Sequence, residues 1–484
     1  MRTAVSALAA VRLLIVLAPE PAMAQTHIAA LSNALNGVKI VASFDAVSGD
    51  PGMSYKDHPD MALAACSACG KAGQVLVATG QDLAVYSTRG TLLKTQNMRD
   101  FIKSAGLDPD AWLSLPAVPA TAAGKVNDPR ATYDPFIKRW IVVCSCSADY
   151  LIVSGGMDAT GSWKGAVLTG SAGDLTMFPA WDKNGVYVSE FQQPLNSRVI
   201  ALPAADVAWK GTGEISLAHK GVFSDPQYEL RPAVDPNPKK RPSDPEYLIA
   251  RSGPPQNAKN HAMELVVDRI TWSRDMQAAV NGPQRIPSGF LYNTPISTRQ
   301  PSGQDIRGSE THRVFSVSAH DGHLYLVEAS GPCASDCGVQ GTDANNLFFW
   351  FDIDTGTMTI TQKAKVSHPL LGWLFPSLAM DSRGNIGMGA TGSSSEQYPS
   401  VYLFTHLAGD PTGKINGPFP AHSGTRSYTC DKGPSRPPNA VGWGTYSATV
   451  QDGSDPMTLW TLQEYAGSAT PCEWKTRVIG FRMR

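Results

Sequence analysis

Apolar and polar positions along this chain follow one recurring phrase: a short apolar run, a turn of Asp, Gly, Asn or charged residues, then a second apolar run. Clear copies are Ala131-Thr132-Tyr133-Asp134 before Arg139-Trp140-Ile141-Val142-Val143, and Phe178-Pro179-Ala180-Trp181-Asp182 before Val186-Tyr187-Val188-Ser189. Arg231-Pro232-Ala233-Val234-Asp235 before Glu246-Tyr247-Leu248-Ile249 is another, as is Val314-Phe315-Ser316-Val317 before Leu324-Tyr325-Leu326-Val327. Phe375-Pro376-Ser377-Leu378-Ala379 precedes Asn385-Ile386-Gly387, and Tyr446-Ser447-Ala448-Thr449-Val450 precedes Thr458-Leu459-Trp460-Thr461. A weaker copy, Ala64-Ala65-Cys66 before Gln74-Val75-Leu76-Val77, comes first in the chain. Runs this short, joined by turn formers, read as pairs of antiparallel strands. Their return at irregular intervals of roughly 50 to 80 residues predicts an all-β fold, a single β-propeller of seven four-stranded blades.

Two lone strands flank the repeats, Val38-Lys39-Ile40-Val41-Ala42-Ser43-Phe44 and Thr476-Arg477-Val478-Ile479-Gly480-Phe481-Arg482. Pairing them in one blade closes the ring and hides two sheet edges. One helix is expected, from Asn97 to a stop at Gly106. The interval between the copies at Arg231 and Val314 is the longest, which predicts an enlarged blade or an insertion over one face. The Pro-rich stretch from Asp235 to Pro245 carries Lys239, Lys240 and Arg241, which read as a solvated loop tip.

A chain of 484 residues is long for a single core, but a propeller grows by adding blades that pack only on their neighbours. Residues 1–24 read as a signal peptide, with Arg2, an apolar stretch interrupted by Arg12, and a small-residue cleavage site at Ala22-Met23-Ala24. The propeller domain then spans 25–484, and a secreted or periplasmic location is expected. No other segment is apolar enough to predict a membrane span. A net charge of −1 argues against nucleic acid as a partner, because phosphate binding needs a basic surface. A monomer is expected.

Several phrases resemble a family of secreted bacterial β-propeller proteins. Asp128-Pro129-Arg130-Ala131-Thr132-Tyr133-Asp134 with Arg139-Trp140 is similar to its "DPR-x-x-YD…RW" motif. Pro376-Ser377-Leu378-Ala379-Met380-Asp381 with Gly384-Asn385, then Tyr398-Pro399-Ser400, resemble its middle segments. Trp443-Gly444-Thr445-Tyr446-Ser447, Asp455-Pro456 and Leu459-Trp460 resemble its closing blade, with Thr445 where the pattern has Asp. The resemblance covers most of residues 60–484 and implies the fold but no particular reaction. Met157-Asp158-Ala159-Thr160-Gly161-Ser162-Trp163 is distantly similar to the Asp-box turn of sialidases, with its Gly displaced by one, and reads as a hairpin turn.

Export makes disulfides the expected state of all eight cysteines, with Cys333–Cys337 and Cys430–Cys472 the favoured bridges. The remaining two pairs, Cys66 with Cys69 and Cys144 with Cys146, also suit a tetrahedral zinc site. His320-Asp321-Gly322-His323 sets two imidazoles across a hairpin, too few ligands for a convincing metal site. Asp352-Ile353-Asp354-Thr355-Gly356 offers oxygens to calcium, or forms an ordinary strand-end turn. No other cofactor is expected. Serine-hydrolase, phosphate-loop and zinc-protease motifs are absent.

If the first strand of each pair lines the channel, the residues opening those strands ring its mouth. That places Arg130, Arg231, Arg313 and Tyr446 there, with Trp443 nearby and Trp373 and Phe375 as floor candidates. Three guanidiniums suit a carboxylate or sulfate ligand; alternatively each pairs with a neighbouring acid and staples blades together. Two functions follow. One is a binding propeller whose channel face holds a small molecule, a glycan or a protein. The other is a hydrolase or lyase of anionic polysaccharide, for which Asp128, Asp225 and Glu229 are the candidate catalytic carboxylates.

Overall fold

The computed structural model describes residues 37–49, 60–110, 126–169, 176–192, 196–225, 228–252, 261–301, 304–307, 314–332, 345–429, 440–444, 446–467 and 473–484. The proposed signal segment, Arg313, Thr445, Cys333, Cys337, Cys430 and Cys472 lie outside them.

Seven four-stranded antiparallel sheets stand in a ring, six of them in-order meanders and the seventh completed by an N-terminal strand. The innermost strands are Ala62–Cys66, Asn127–Asp134, Thr176–Trp181, Arg231–Pro232, Val314–His320, Gly372–Met380 and Ala448–Gln451, in blades 1 to 7. Each matches one of the recurring phrases. They run parallel around the channel; the Val234–Ser318 bridge shows this directly for blades 4 and 5, and the shared cavity lined from all seven blades is consistent with it. All seven therefore begin on one face, called upper here, and end on the other. Blade 7 takes its outermost strand from the N-terminal segment Val38–Ser48, which pairs with Lys475–Met483 in the register Val38 to Met483 and Phe44 to Val478. The ring closes as the two flanking strands predicted.

Burial follows position within a blade. Second and third strands are covered on both faces by neighbouring blades, so Ile386–Ser393, Ser400–His406 and Leu459–Tyr465 are buried at every residue. Outermost strands alternate, as Leu92–Asn97 and Thr359–Val366 do, because one face meets solvent. Trp140, Trp350, Trp373 and Trp460 fill the wedges of the ring, each at most 2% exposed. Truncating one to Ala costs about 3–5 kcal/mol.

The Asp that closes the phrase is a turn device. Asp134 accepts from the amides of Phe136 and Ile137, Asp182 from Asn184 and Gly185, and Asp381 from Arg383 and Asn385. Asp452 caps its own turn and reaches across the ring closure to the amide and hydroxyl of Ser67 in blade 1. Blade 1 has Cys66 at this position, and its disulfide to Cys69 closes the turn covalently instead. Blade 5 uses the hairpin His320-Asp321-Gly322-His323, with Asp321 and Gly322 both in left-handed conformation.

The long interval before Val314 proves to be both an enlarged blade and a cap. Blade 4 ends in strands of 12 and 15 residues, His261–Trp272 and Ala278–Tyr292. Beyond it, Asp305–Arg307 pairs in parallel with Ala440–Gly442, and reciprocal bonds join Gln300 to Tyr428. This cap has its own small core of Ile306, Leu374, Phe375, Tyr428, Trp443 and Trp474. The helix Met98–Ser104, capped by Asn97, packs on blades 1 and 2.

Candidate functional site at the channel mouth

The seven inner strands enclose a channel cavity of about 150 Å³. Four side chains meet at its upper end in an alternating stack. The Tyr446 ring carries the Arg130 guanidinium at 3.7 Å, Arg130 lies 5.0 Å from the Phe178 ring, and Arg231 lies 2.9 Å from that same ring. Each end of the stack finishes in a carboxylate. Tyr446 donates its hydroxyl to Asp128 Oδ2 at 3.3 Å, and Arg231 Nη2 contacts Glu229 Oε1 at 2.5 Å. Arg130 also donates to the Pro129 carbonyl, and Arg231 Nε donates to the Val314 carbonyl of blade 5. Residues from blades 2, 3, 4 and 7 thus meet at one point. Guanidiniums stack on aromatic faces because the ring quadrupole attracts the cation while its plane packs flat.

The backbone around this point is irregular. Register breaks fall between Asn127 and Arg130, Val314 and Ser316, and Leu374 and Ser377, all near the upper end of an inner strand. Asp128 and Phe375 hold φ of 41° and 47°. A left-handed Asp is common enough, but a bulky aromatic there is an outlier, and such strain concentrates at functional sites. Phe375 is fixed from both sides: its ring meets Phe315 at the mouth and belongs to the cap core. Its carbonyl accepts from Ser447 Oγ at 2.6 Å.

The sequence candidates divide clearly. Arg130, Arg231, Asp128, Glu229 and Tyr446 come together, and Arg231 pairs with Glu229 as the staple reading supposed. Asp225 does not join them; it ends the outermost strand of blade 3, Gly221–Asp225, where it accepts from the Tyr228 amide. Trp443 is 1% exposed inside the cap, packed edge-on against Tyr428, so it is core and not an open stacking surface. Trp373 is likewise wedged between blades against Tyr402 and Phe404. Phe178, the hub of the stack, was missed. Its signal is positional: Arg130, Phe178 and Arg231 each stand four residues before the closing Asp of their phrase. Beneath the cap, Glu464 is wholly enclosed, and burial pushes its carboxyl well above the usual range. Gly444, at φ 33°, passes so close over Glu464 that a side chain there would press on its carboxyl.

Other expectations need correction. Cys66–Cys69 is a disulfide, but Cys144 and Cys146 are buried free thiols, enclosed at the interface of blades 1 and 2. The thiolate-zinc alternative loses its first pair to that disulfide. Lys240 is not at a solvated tip. It is 3% exposed and lies 2.8 Å from Asp182, 2.9 Å from Asp235 and 3.1 Å from Glu246, a caged ammonium joining blades 3 and 4 on the lower face. Those carboxylates raise its pKa further, although burial alone would lower it. His320 and His323 do face one another, yet His323 Nδ1 is held by Asp352 at 2.7 Å, and Asp354 caps the turn through the Thr357 amide. Among the described residues, no group of three His, Cys, Asp or Glu is arranged to hold a metal ion. Asp158 of the Asp-box-like segment accepts from the Thr160 amide and Gln74, which makes that segment a structural hairpin between two strands of blade 2.

No protein-family model matches the chain, and no curated protein matches it either. Solved structures do match at the level of fold. They include the quinohemoprotein alcohol dehydrogenase of Comamonas testosteroni, at 10% identity and TM-score 0.39 over 93% of this chain and 77% of that one. An ulvan lyase matches at 11% identity and TM-score 0.33, over 67% of this chain and 74% of that one. A Hadza microbial sialidase matches at 9% and 0.32, over 87% and 65%. Likeness this distant carries no argument about activity. No helix among the described residues is long and apolar enough to cross a membrane.

Proposed function

We propose that this chain is an exported, non-catalytic propeller that binds a small ligand bearing an acidic group at the upper end of its channel. The observation that carries the reading is the convergence of Arg130 and Arg231, from different blades, on the single ring of Phe178 at the head of the channel cavity. Bulged strands and a left-handed Phe375 around the same point support it. Polysaccharide cleavage fits less well. A hydrolase needs two carboxyl groups facing one another across the scissile bond, about 5–10 Å apart. Asp128 and Glu229 instead terminate opposite ends of the stack, with two guanidiniums and two rings between them.

The test is thermal unfolding with acetate, benzoate, glucuronate or sulfate, each against chloride at equal ionic strength. A ligand at ten times its Kd stabilises by about 1.4 kcal/mol, enough for a measurable rise in Tm. At least one acid is expected to give a saturable rise, lost when the cavity is filled by Ser316→Phe, a half-buried lining position. No acid-specific rise, or a rise that survives the filled cavity, contradicts the reading.

A further inference from the structure

The two ends of the channel cavity differ in chemistry. Its upper end presents Arg130 and Arg231. Below them the wall is built from Leu63, Val234, Val317, Leu378 and Val450, with further alanine methyl groups between. Hydroxyl and amide side chains also line it, but most are committed to the protein. Thr132 Oγ1 accepts the Trp181 indole N–H at 2.8 Å. Thr449 Oγ1 is bonded to Ser377 and Thr461, and Ser447 Oγ donates to Phe375 O and is also bonded to Ser377 Oγ. Gln451 Nε2 donates to the carbonyls of Met380 and Pro456. Few of these side-chain groups are therefore left for a polyhydroxylated ligand, and the remaining polar groups are Ser316, Ser318 and the backbone edges of the inner strands. A buried hydroxyl without a partner costs about 1–3 kcal/mol, so several on one ligand weigh heavily against it.

Size narrows the class further. About 150 Å³ is the volume of a dry apolar cavity that accepts benzene. It has no room for a polysaccharide chain, and a hexuronic acid would place its hydroxyls against alkyl carbon. We infer that the ligand of this site is a small amphiphilic monoanion, a carboxylate on a monocyclic or short aliphatic body. The carboxylate lies toward Arg130 and Arg231, and the apolar body lies down the channel. This rests on the binding reading proposed above and specifies the ligand for the same cavity.

Calorimetric titration of the full chain with benzoate, benzyl alcohol and glucuronate separates the terms. Benzoate is expected to bind about 10-fold or more tighter than benzyl alcohol, the range of one charge-assisted contact. Glucuronate is expected to bind at least 10-fold more weakly than benzoate. Arg130→Gln should bring benzoate down to the level of benzyl alcohol while leaving benzyl alcohol unchanged. Ser316→Phe should abolish both, with folding of each variant checked by thermal unfolding. If glucuronate binds as tightly as benzoate or tighter, the amphiphile is wrong and an acid-binding channel survives. If benzyl alcohol equals benzoate, the arginines do not read the head group, and both the amphiphilic class and the acidic ligand fall. If none of the three binds, this inference is overturned, while the wider reading is judged on acetate and sulfate.

Discussion

The Arg231 guanidinium sits against the Phe178 ring at 2.9 Å while its Nη2 contacts Glu229 and its Nε reaches the Val314 carbonyl. One side chain thereby touches blades 3, 4 and 5. Arg231 is 2% exposed, so solvent screens these contacts poorly. Arg231→Ala leaves Glu229 facing a largely buried site without its guanidinium, and the expected loss is about 3–5 kcal/mol in chemical denaturation. Arg231→Lys should recover only a minor part, because an ammonium lacks the planar fork that serves both partners and the ring. Full rescue by lysine would show that only the charge matters.

Lys240 is the second interblade device and the less conventional one. Its ammonium balances three carboxylates, and Glu246 among them is wholly buried with its pKa well raised by that burial. Lys240→Met keeps the volume and removes the charge. At neutral pH it should destabilise the protein by about 3–5 kcal/mol, since carboxylates are left enclosed together. The deficit should shrink toward pH 5, as one of them takes up a proton. A variant equally destabilised at both pH values speaks against charge as the cause.

Asp134 is fully buried, and its carboxyl is pushed up to about 7, first by burial and secondarily by the charge of Asp182. Its folded pKa lies above the ordinary value of 3.8. Between about pH 4 and 7 the native state therefore holds more protons than the unfolded chain, and stability falls as pH rises through that window. Asp134→Asn keeps an oxygen for the Phe136 and Ile137 amides and removes the titration. The stability difference between pH 4.5 and 7.5 should shrink by a few kcal/mol in this variant. An unchanged pH profile assigns the slope to other carboxyls.

Cys144 and Cys146 should stay unlabelled in the native protein and react in denaturant without reductant, because both thiols are buried and burial raises their pKa. Cys66 and Cys69 should label only after reduction. Labelling followed by peptide mapping reads all four. A Cys144–Cys146 bridge in the isolated protein restores the oxidised expectation for that pair.

Much of the ring was legible from the sequence because its strongest signals are local. A closing Asp followed by a turn and a fully apolar run specifies a hairpin within some 15 residues, and all seven copies correspond to the inner pair of strands of a blade. Closure by Val38–Ser48 was legible for the same reason, as an unpaired strand needs a partner. What could not be read depends on contacts between blades. Lys240 looks like any residue in a Pro-rich basic loop until Asp182, some 58 positions earlier, is placed beside it. Phe178 looks like a core aromatic, and only the ring brings it between arginines of the blades on either side. Which of Asp128, Asp225 and Glu229 reaches the mouth depends on place within a blade, which the sequence left open: Asp225 ends an outermost strand, whereas Glu229 stands two residues before an inner one. An outermost strand and the next inner strand are consecutive in sequence but a blade's width apart.

A crystal structure of the protein soaked in benzoate tests the central proposal most directly. The expected result is difference density inside the channel, with the carboxylate toward Arg130 and Arg231 and the ring against Leu63, Val317 and Leu378. A channel that stays free of benzoate while the arginine stack is undisturbed, or benzoate bound only elsewhere on the surface, would contradict it and leave Arg130 and Arg231 as staples between blades.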